Sequence, residues 1–225
     1  RSLQYGECDL AIVASVGVLT ASSSLACAVA GMISPDGKCH AFDESANGFG
    51  RGEGGGAIIL KRVEEAVDQH NSIYAVVRGS AVMQDGRSAS LTAPNERMQK
   101  TVISTALRDA GILPEEVSFV EGHGTGTRMG DPIEVSALLS VFANDDTRNS
   151  ETSLPISSVK ANFGHLEAAA GMAGLFSAIL AIRHEMAPPN AQLVSLNGQI
   201  KQLCEDDVLR FPTSPVKLRR NGSNS

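Results

Sequence analysis

The chain has 225 residues, 42% of them hydrophobic, which is enough for one large domain or two small ones with a sizeable core and argues against disorder. A net charge of −6 without any long basic run argues against a nucleic-acid partner. Four cysteines, Cys8, Cys27, Cys39 and Cys204, lie scattered without a Cys-x-x-Cys pair, which fits reduced thiols in a cytoplasmic protein rather than a disulfide framework.

Arg1 to Glu7 is polar and carries no signal-peptide pattern. Leu10 to Leu19 is a Val/Ile/Ala-rich run that predicts a buried strand. Ser34-Pro35-Asp36-Gly37 is a turn signature. The glycine-dense segment Gly48 to Gly56 leads into a short strand, Ala57 to Leu60, and Ile73 to Val82 predicts a third. Asn95 can cap a helix whose apolar face carries Met98, Val102, Leu107 and Ala110, and Gly111 suits its C-terminus.

Val117 to Glu121 predicts a strand feeding into His123-Gly124-Thr125-Gly126-Thr127. Asp131-Pro132-Ile133-Glu134 then reads as a helix start, with Asp131 as cap, Pro132 at the first turn and Glu134 completing a capping box. Asn144 to Ser153 is the one obvious linker, followed by a strand at Pro155 to Val159. That strand delivers Lys160, Asn162 and His165 to an Ala/Gly-rich helix. The helical stretch Ala168 to Ile182 is apolar all round, which predicts packing on every side, and falls short of the ~20 residues that span a bilayer. Strands alternating with helices predict an α/β fold with polar residues in the loops at strand ends.

His123 and His165 sit in matched settings: a strand end, adjacent glycine, then a helix. Glycine beside a histidine lets backbone or substrate approach closely. Two neutral imidazoles can share a developing oxyanion as hydrogen-bond donors. A lone histidine would read as a core residue bonded to backbone, but a matched pair favours a site. Gly50, Gly52 and Gly55 fit a dinucleotide fingerprint, yet a strand rather than a helix follows them. Cys39-His40 has no second pair at metal-ligand spacing, so no metal site is expected; His70 and His184 read as ordinary helix-surface or helix-end residues.

The run from Glu121 to Thr127, then Gly130-Asp131-Pro132-Ile133-Glu134, resembles the first histidine motif of polyketide and fatty-acid ketosynthases. Ser158-Val159-Lys160-Ala161-Asn162-Phe163-Gly164-His165 through Gly171 resembles their lysine and second-histidine motif, and Ser34 to Gly37, Arg51 to Gly54 and Gln84 to Arg87 match further blocks of modular type I polyketide synthases. The resemblance covers about Glu7 to Pro215. It implies a thiolase-like layered α-β-α-β-α fold, here partial, with the first ~100 residues ending the N-terminal half and the remainder in the C-terminal half.

It further implies decarboxylative condensation of an acyl thioester with a malonyl-type extender. No cofactor would be bound directly; the substrates would ride the phosphopantetheine arm of an acyl carrier protein. His123 and His165 would be oxyanion donors and Lys160 the charge that tunes them. Asp131 and Glu134 would hold that lysine, with Asn162, Thr125 and Thr127 as supporting positions. A homodimer and no membrane partner are implied. Ala161 stands where the family usually has Thr or Ser, and Met83 where Asn is common.

The family's nucleophile lies in a Thr-Ala-Cys-Ser-Ser block upstream of the segment matching Gly6 to Leu10. Cys27, beside Ser22-Ser23-Ser24, resembles that block only in composition. The expectation is therefore that this chain carries no nucleophile, is cut at both ends, and is inert by itself. The competing reading is a non-catalytic ketosynthase-like subunit that shapes an active partner's cavity, against which the retained His123, Lys160 and His165 speak. A thiolase is disfavoured because it lacks the Lys160 motif.

Overall fold

The computed structural model describes residues 1–86, 94–143 and 152–219. In chain order it forms β1 (Ala11–Gly17), α1 (Ala21–Val29), β2 (Gly54–Leu60), α2 (Val63–Asp68), α3 (Glu96–Ala110), β3 (Val120–Glu121), α4 (Gly130–Phe142), β4 (Leu154–Ser157), α5 (Lys160–Phe163), α6 (Ala170–His184), β5 (Met186–Ala187), α7 (Gly198–Leu203), β6 (Leu209–Arg210) and β7 (Val216–Lys217). β1 and β2 pair antiparallel, β3-β4-β6 form a parallel sheet with β4 in the middle, and β5 pairs antiparallel with β7. The expected α/β organisation holds.

β4 is the centre of the core because both its neighbours are strands and helices cover it. Leu154 and Ile156 are fully buried against Phe42, Val135, Leu138 and Val141, with Ile200 and Leu209 completing the cluster. Each large apolar side chain withdrawn this way contributes about 1.5–3 kcal/mol, so this layer anchors the loops at the ends of β3 and β4. Phe42 also meets Phe211 with ring centroids 4.9 Å apart.

α3 follows its sequence signals. Asn95 accepts from the Met98 N–H at 3.3 Å, and Gly111 turns left-handed at φ 63°. The Ser34–Gly37 turn closes with the Gly37 N–H on the Ser34 carbonyl at 3.0 Å. The glycine-dense segment enters the strand itself, since β2 begins at Gly54.

Three expectations are corrected. β1 is a strand but not a buried one: Ile12 is 69% and Val16 66% exposed. One face of the β1–β2 pair receives Leu166 over Gly17 and Met172 and Phe176 over Gly56. Ile12 and Val16 face away from that cover.

Ile73 to Val82 joins no ladder among the described residues. It runs instead along α3, where Gly79 meets Ala106 and Ala110 and the Ser80 N–H donates to Asp109 at 2.9 Å. β propensity describes fit to a pleated neighbour, and without one it makes no strand.

α6, expected to be packed on every side, leaves Leu180 and Ile182 more than half exposed. Among the described residues no helix is long and apolar enough to cross a membrane. The expected linker falls mostly on residues 144–151, outside the described residues, as does Arg87.

Candidate active site

β3 ends at Glu121, and the chain turns through Gly122, His123 and Gly124 before α4. The turn is held by one carboxylate. Glu134 accepts from the His123 N–H at 2.6 Å on one oxygen and from the Gly124 N–H at 2.8 Å on the other. The Ser158 hydroxyl donates to the His123 carbonyl at 3.2 Å.

Asp131 does the same for two other loops, accepting from Phe42 at 2.7 Å, Gly126 at 3.2 Å and Thr127 at 3.4 Å. The capping-box reading is thereby corrected. α4 has Met129 at its N-cap and no side-chain cap bond there, and both carboxylates reach outward to backbone N–H groups of neighbouring segments. Thr127 accepts from the Gly130 N–H at 3.2 Å, and its hydroxyl lies 3.3 Å from that of buried Thr125. Phe42 is in the left-handed region at φ 62°, uncommon for a bulky residue, and its N–H bond to Asp131 helps hold it there.

His165 arrives by the second strand. β4 passes through Val159 into the single turn of α5, and Gly164 at φ 77° reverses the chain. The backbone of Gly50 to Gly52 then clasps His165 on both sides. Its N–H donates to Gly50 at 2.7 Å, and its carbonyl accepts from Gly52 at 3.0 Å.

A side chain at Gly164 would sit 3.1 Å from the Gly50 carbonyl, and one at Gly124 2.6 Å from Ser158 Cβ. These glycines therefore make room for the protein's own neighbouring segments. The expected close approach of backbone beside the histidines is thus met at Gly124 and Gly164.

The two imidazoles stand edge to face, centroids 5.8 Å apart at 87°. Nδ1 of His165 accepts the Glu167 N–H at 2.9 Å, which places its proton on Nε2 and makes that nitrogen a donor. Burial, then the Lys160 charge and His123, push the His165 pKa down to about 4. His123 is exposed on one side, yet partial burial and Lys160 hold its pKa below the usual range. Both rings are neutral donors near pH 7.

Lys160 is buried, 6% exposed, and burial lowers its pKa while Glu121 and then Glu134 raise it. Asp131 acts on it more weakly. Among the described residues Lys160 makes no ion pair, so Asp131 and Glu134 act on it from nearby and do not clasp it. Glu121 was not singled out by the sequence. It accepts from the Val159 N–H at 2.6 Å and the Ser177 hydroxyl at 2.8 Å, tying both histidine segments to α6. Its burial raises its own pKa. The signal available was a carboxylate two residues before a histidine at a strand end.

Asn162 is exposed on α5, while Ala161 is buried in the core. Met83 is 39% exposed. Cys27 lies in α1, and among the described residues no hydrogen bond joins it to either imidazole. Among the described residues no cluster of His, Cys, Asp and Glu is placed to hold a metal ion.

A family model described as "Beta-ketoacyl synthase, C-terminal domain" matches residues 74–194, and its N-terminal counterpart matches residues 1–66. The chain is 43% identical over 201 residues to a 6-methylsalicylic acid synthase of Aspergillus niger, covering 89% of this chain and 11% of that protein. It is 41% identical over 216 residues to a highly reducing polyketide synthase of Fusarium mangiferae, covering 96% of this chain and 9% of that one. Among solved structures, the ketosynthase from module 6 of the bacillaene synthase of Bacillus subtilis superposes with a TM-score of 0.91 at 38% identity, over 98% of this chain and 39% of that one. The chain thus spans about a tenth of the length of these curated relatives.

Proposed function

The chain belongs to the beta-ketoacyl synthase family, with the thiolase-like α/β fold of its ketosynthases, and from that premise we propose that it supplies the decarboxylating half of a polyketide-forming active site. One observation carries the proposal: two neutral imidazoles from separate strand ends, edge to face at 5.8 Å, beside a buried lysine. The substrates are an acyl thioester and a malonyl-type thioester, each on the phosphopantetheine arm of an acyl carrier protein.

In the proposed reaction the bond between the malonyl carboxylate and its methylene breaks, and carbon dioxide leaves. The electron pair passes into an enolate whose charge collects on the thioester oxygen. His165 Nε2–H and the His123 ring donate to that oxygen, a charge that exists only after the bond begins to break, which is where such donors accelerate a reaction. The enolate carbon then attacks the acyl thioester, and the thiolate that held the acyl group departs.

In the proposed reaction that thiolate belongs to the family's Thr-Ala-Cys-Ser-Ser block. The complete domain acts as an acyltransferase and as a homodimer. The test is to supply the complete domain with an acyl thioester and a malonyl-carrier thioester and search for the β-ketoacyl product by mass spectrometry; its absence with both substrates loaded would contradict the proposal.

The histidine electrostatics set a pH expectation. His165 has a folded pKa near 4 against 6.5 when exposed, so it stays neutral as pH falls through 6. The His165 share of the decarboxylation rate should hold steady there and change only toward pH 4. The stability that this neutral histidine contributes is complete above 6.5 and is lost as pH falls from 6.5 toward 4. An acid limb at 6.5 that persists in His123→Ala would contradict a neutral His165.

A further inference from the structure

As a neutral ring His165 can donate from Nε2 only while its Nδ1 is kept unprotonated, and that depends on the N–H of Glu167. Glu167 opens the short 3-10 turn Glu167–Ala169 with a left-handed backbone, φ 50°, where residues other than glycine are uncommon. Something must hold it there, and the side chain of Arg51 is in place to do so. Arg51 Nε donates to Glu167 Oε1 at 2.6 Å, while its two terminal nitrogens donate to the hydroxyls of Ser24 at 2.5 Å and Ser23 at 3.1 Å on α1. The Arg51 side chain is 5% exposed, so this fork is fixed rather than waving in solvent. Its own backbone stretch, Gly50 to Gly52, is the one that clasps the His165 main chain.

We infer that Arg51 is a positioning residue which, through Glu167, fixes the ring tautomer and orientation of His165. One residue thus governs both halves of the histidine's placement. Its backbone strand sets where the main chain runs, and its guanidinium sets the turn whose amide meets Nδ1. α1 is the outer anchor of this clamp, which gives Ser23 and Ser24 a use unrelated to Cys27.

The inference rests on the reading of His165 as an oxyanion donor, and its test separates the two. In the complete domain, nitrogen-15 NMR of labelled histidine reads the tautomer without turnover, and malonyl-thioester decarboxylation reads the rate. The wild type should show a single neutral tautomer of His165 protonated at Nε2. Arg51→Ala should give mixed tautomers and lower kcat about 10–100-fold with KM nearly unchanged, the range seen when the partner behind a working imidazole is lost.

Because Arg51 is buried and its loss can unfold the loop, Glu167→Gln is the companion variant. It lies near the surface, keeps the shape and removes the charge, and should show the same change in smaller degree. Arg51→Lys should rescue only partly, having no fork to span Glu167 and the two serines. The Arg51→Ala/Glu167→Ala double variant should be no slower than Arg51→Ala alone, since the two act through one contact.

A single Nε2–H tautomer and wild-type kcat in folded Arg51→Ala and Glu167→Gln would overturn the inference. Wild-type decarboxylation in His165→Ala would instead overturn the donor reading on which it stands, whatever the tautomer of the arginine variant.

Discussion

His165→Ala in the complete domain should abolish measurable condensation, and His123→Ala should slow it about 10²–10³-fold, the usual cost of losing one oxyanion donor. The asymmetry follows from the surroundings. His165 has its tautomer set by the Glu167 N–H and both sides of its backbone clasped by Gly50 and Gly52. His123 is fixed through its main chain by Glu134 and Ser158, while its ring lies more open. The more firmly held donor reorganises less as charge develops and so contributes more. The measurement is the rate of β-ketoacyl product formation under saturating malonyl-carrier thioester, with circular dichroism to show each variant folded. A folded His165→Ala that condenses at near the wild-type rate would make that histidine a structural residue.

Asp131→Ala should be the most damaging single change to stability. It removes the acceptor for three backbone N–H groups, those of Phe42, Gly126 and Thr127, in a region where Asp131 itself is 1% exposed. Each buried donor left without a partner costs about 1–3 kcal/mol, so losing all three should cost about 3–9 kcal/mol out of a typical total of ~5–15. Phe42, held at φ 62° under the core, loses one of its restraints at the same time. Chemical denaturation of the complete domain reads this directly, and a loss below about 1 kcal/mol would contradict the assignment.

The same carboxyl carries a pH signature. Burial raises its pKa to about 7 from 3.8 despite the donors around it. The part of its stability linked to holding that proton is therefore complete below 3.8 and lost as pH rises through about 7, while the accepted N–H bonds remain. The stability gap between wild type and Asp131→Asn should narrow between pH 4 and pH 8.

These two carboxylates also mark where the sequence stopped being readable. Asp131-Pro132-Ile133-Glu134 has the local form of a helix cap, and nothing nearby in the chain distinguishes a carboxylate turned back on its own helix from one reaching Phe42, 89 residues away. Glu121 escaped for the same reason, because its partners Val159 and Ser177 come from 38 and 56 residues on.

What was legible was local or periodic. Asn95 and Gly111 bounded α3 because capping is a contact within one turn. The histidine pair was legible because each motif carries its strand end and glycine with it. Ile73 to Val82 misled, since a run of β-branched residues states a propensity while a ladder needs a neighbour. That Lys160 makes no direct ion pair among the described residues was not legible from its place between a strand and a glycine turn.

The central claim is that His123 and His165 together stabilise charge released by decarboxylation. Its most direct test is carbon dioxide release from a malonyl-carrier thioester by the complete domain, compared with the His123→Ala/His165→Ala double variant, with no acyl substrate present so that only the decarboxylation step is read. The account predicts release by the wild type and near-background release by the folded double variant. Equal release by the two would contradict it.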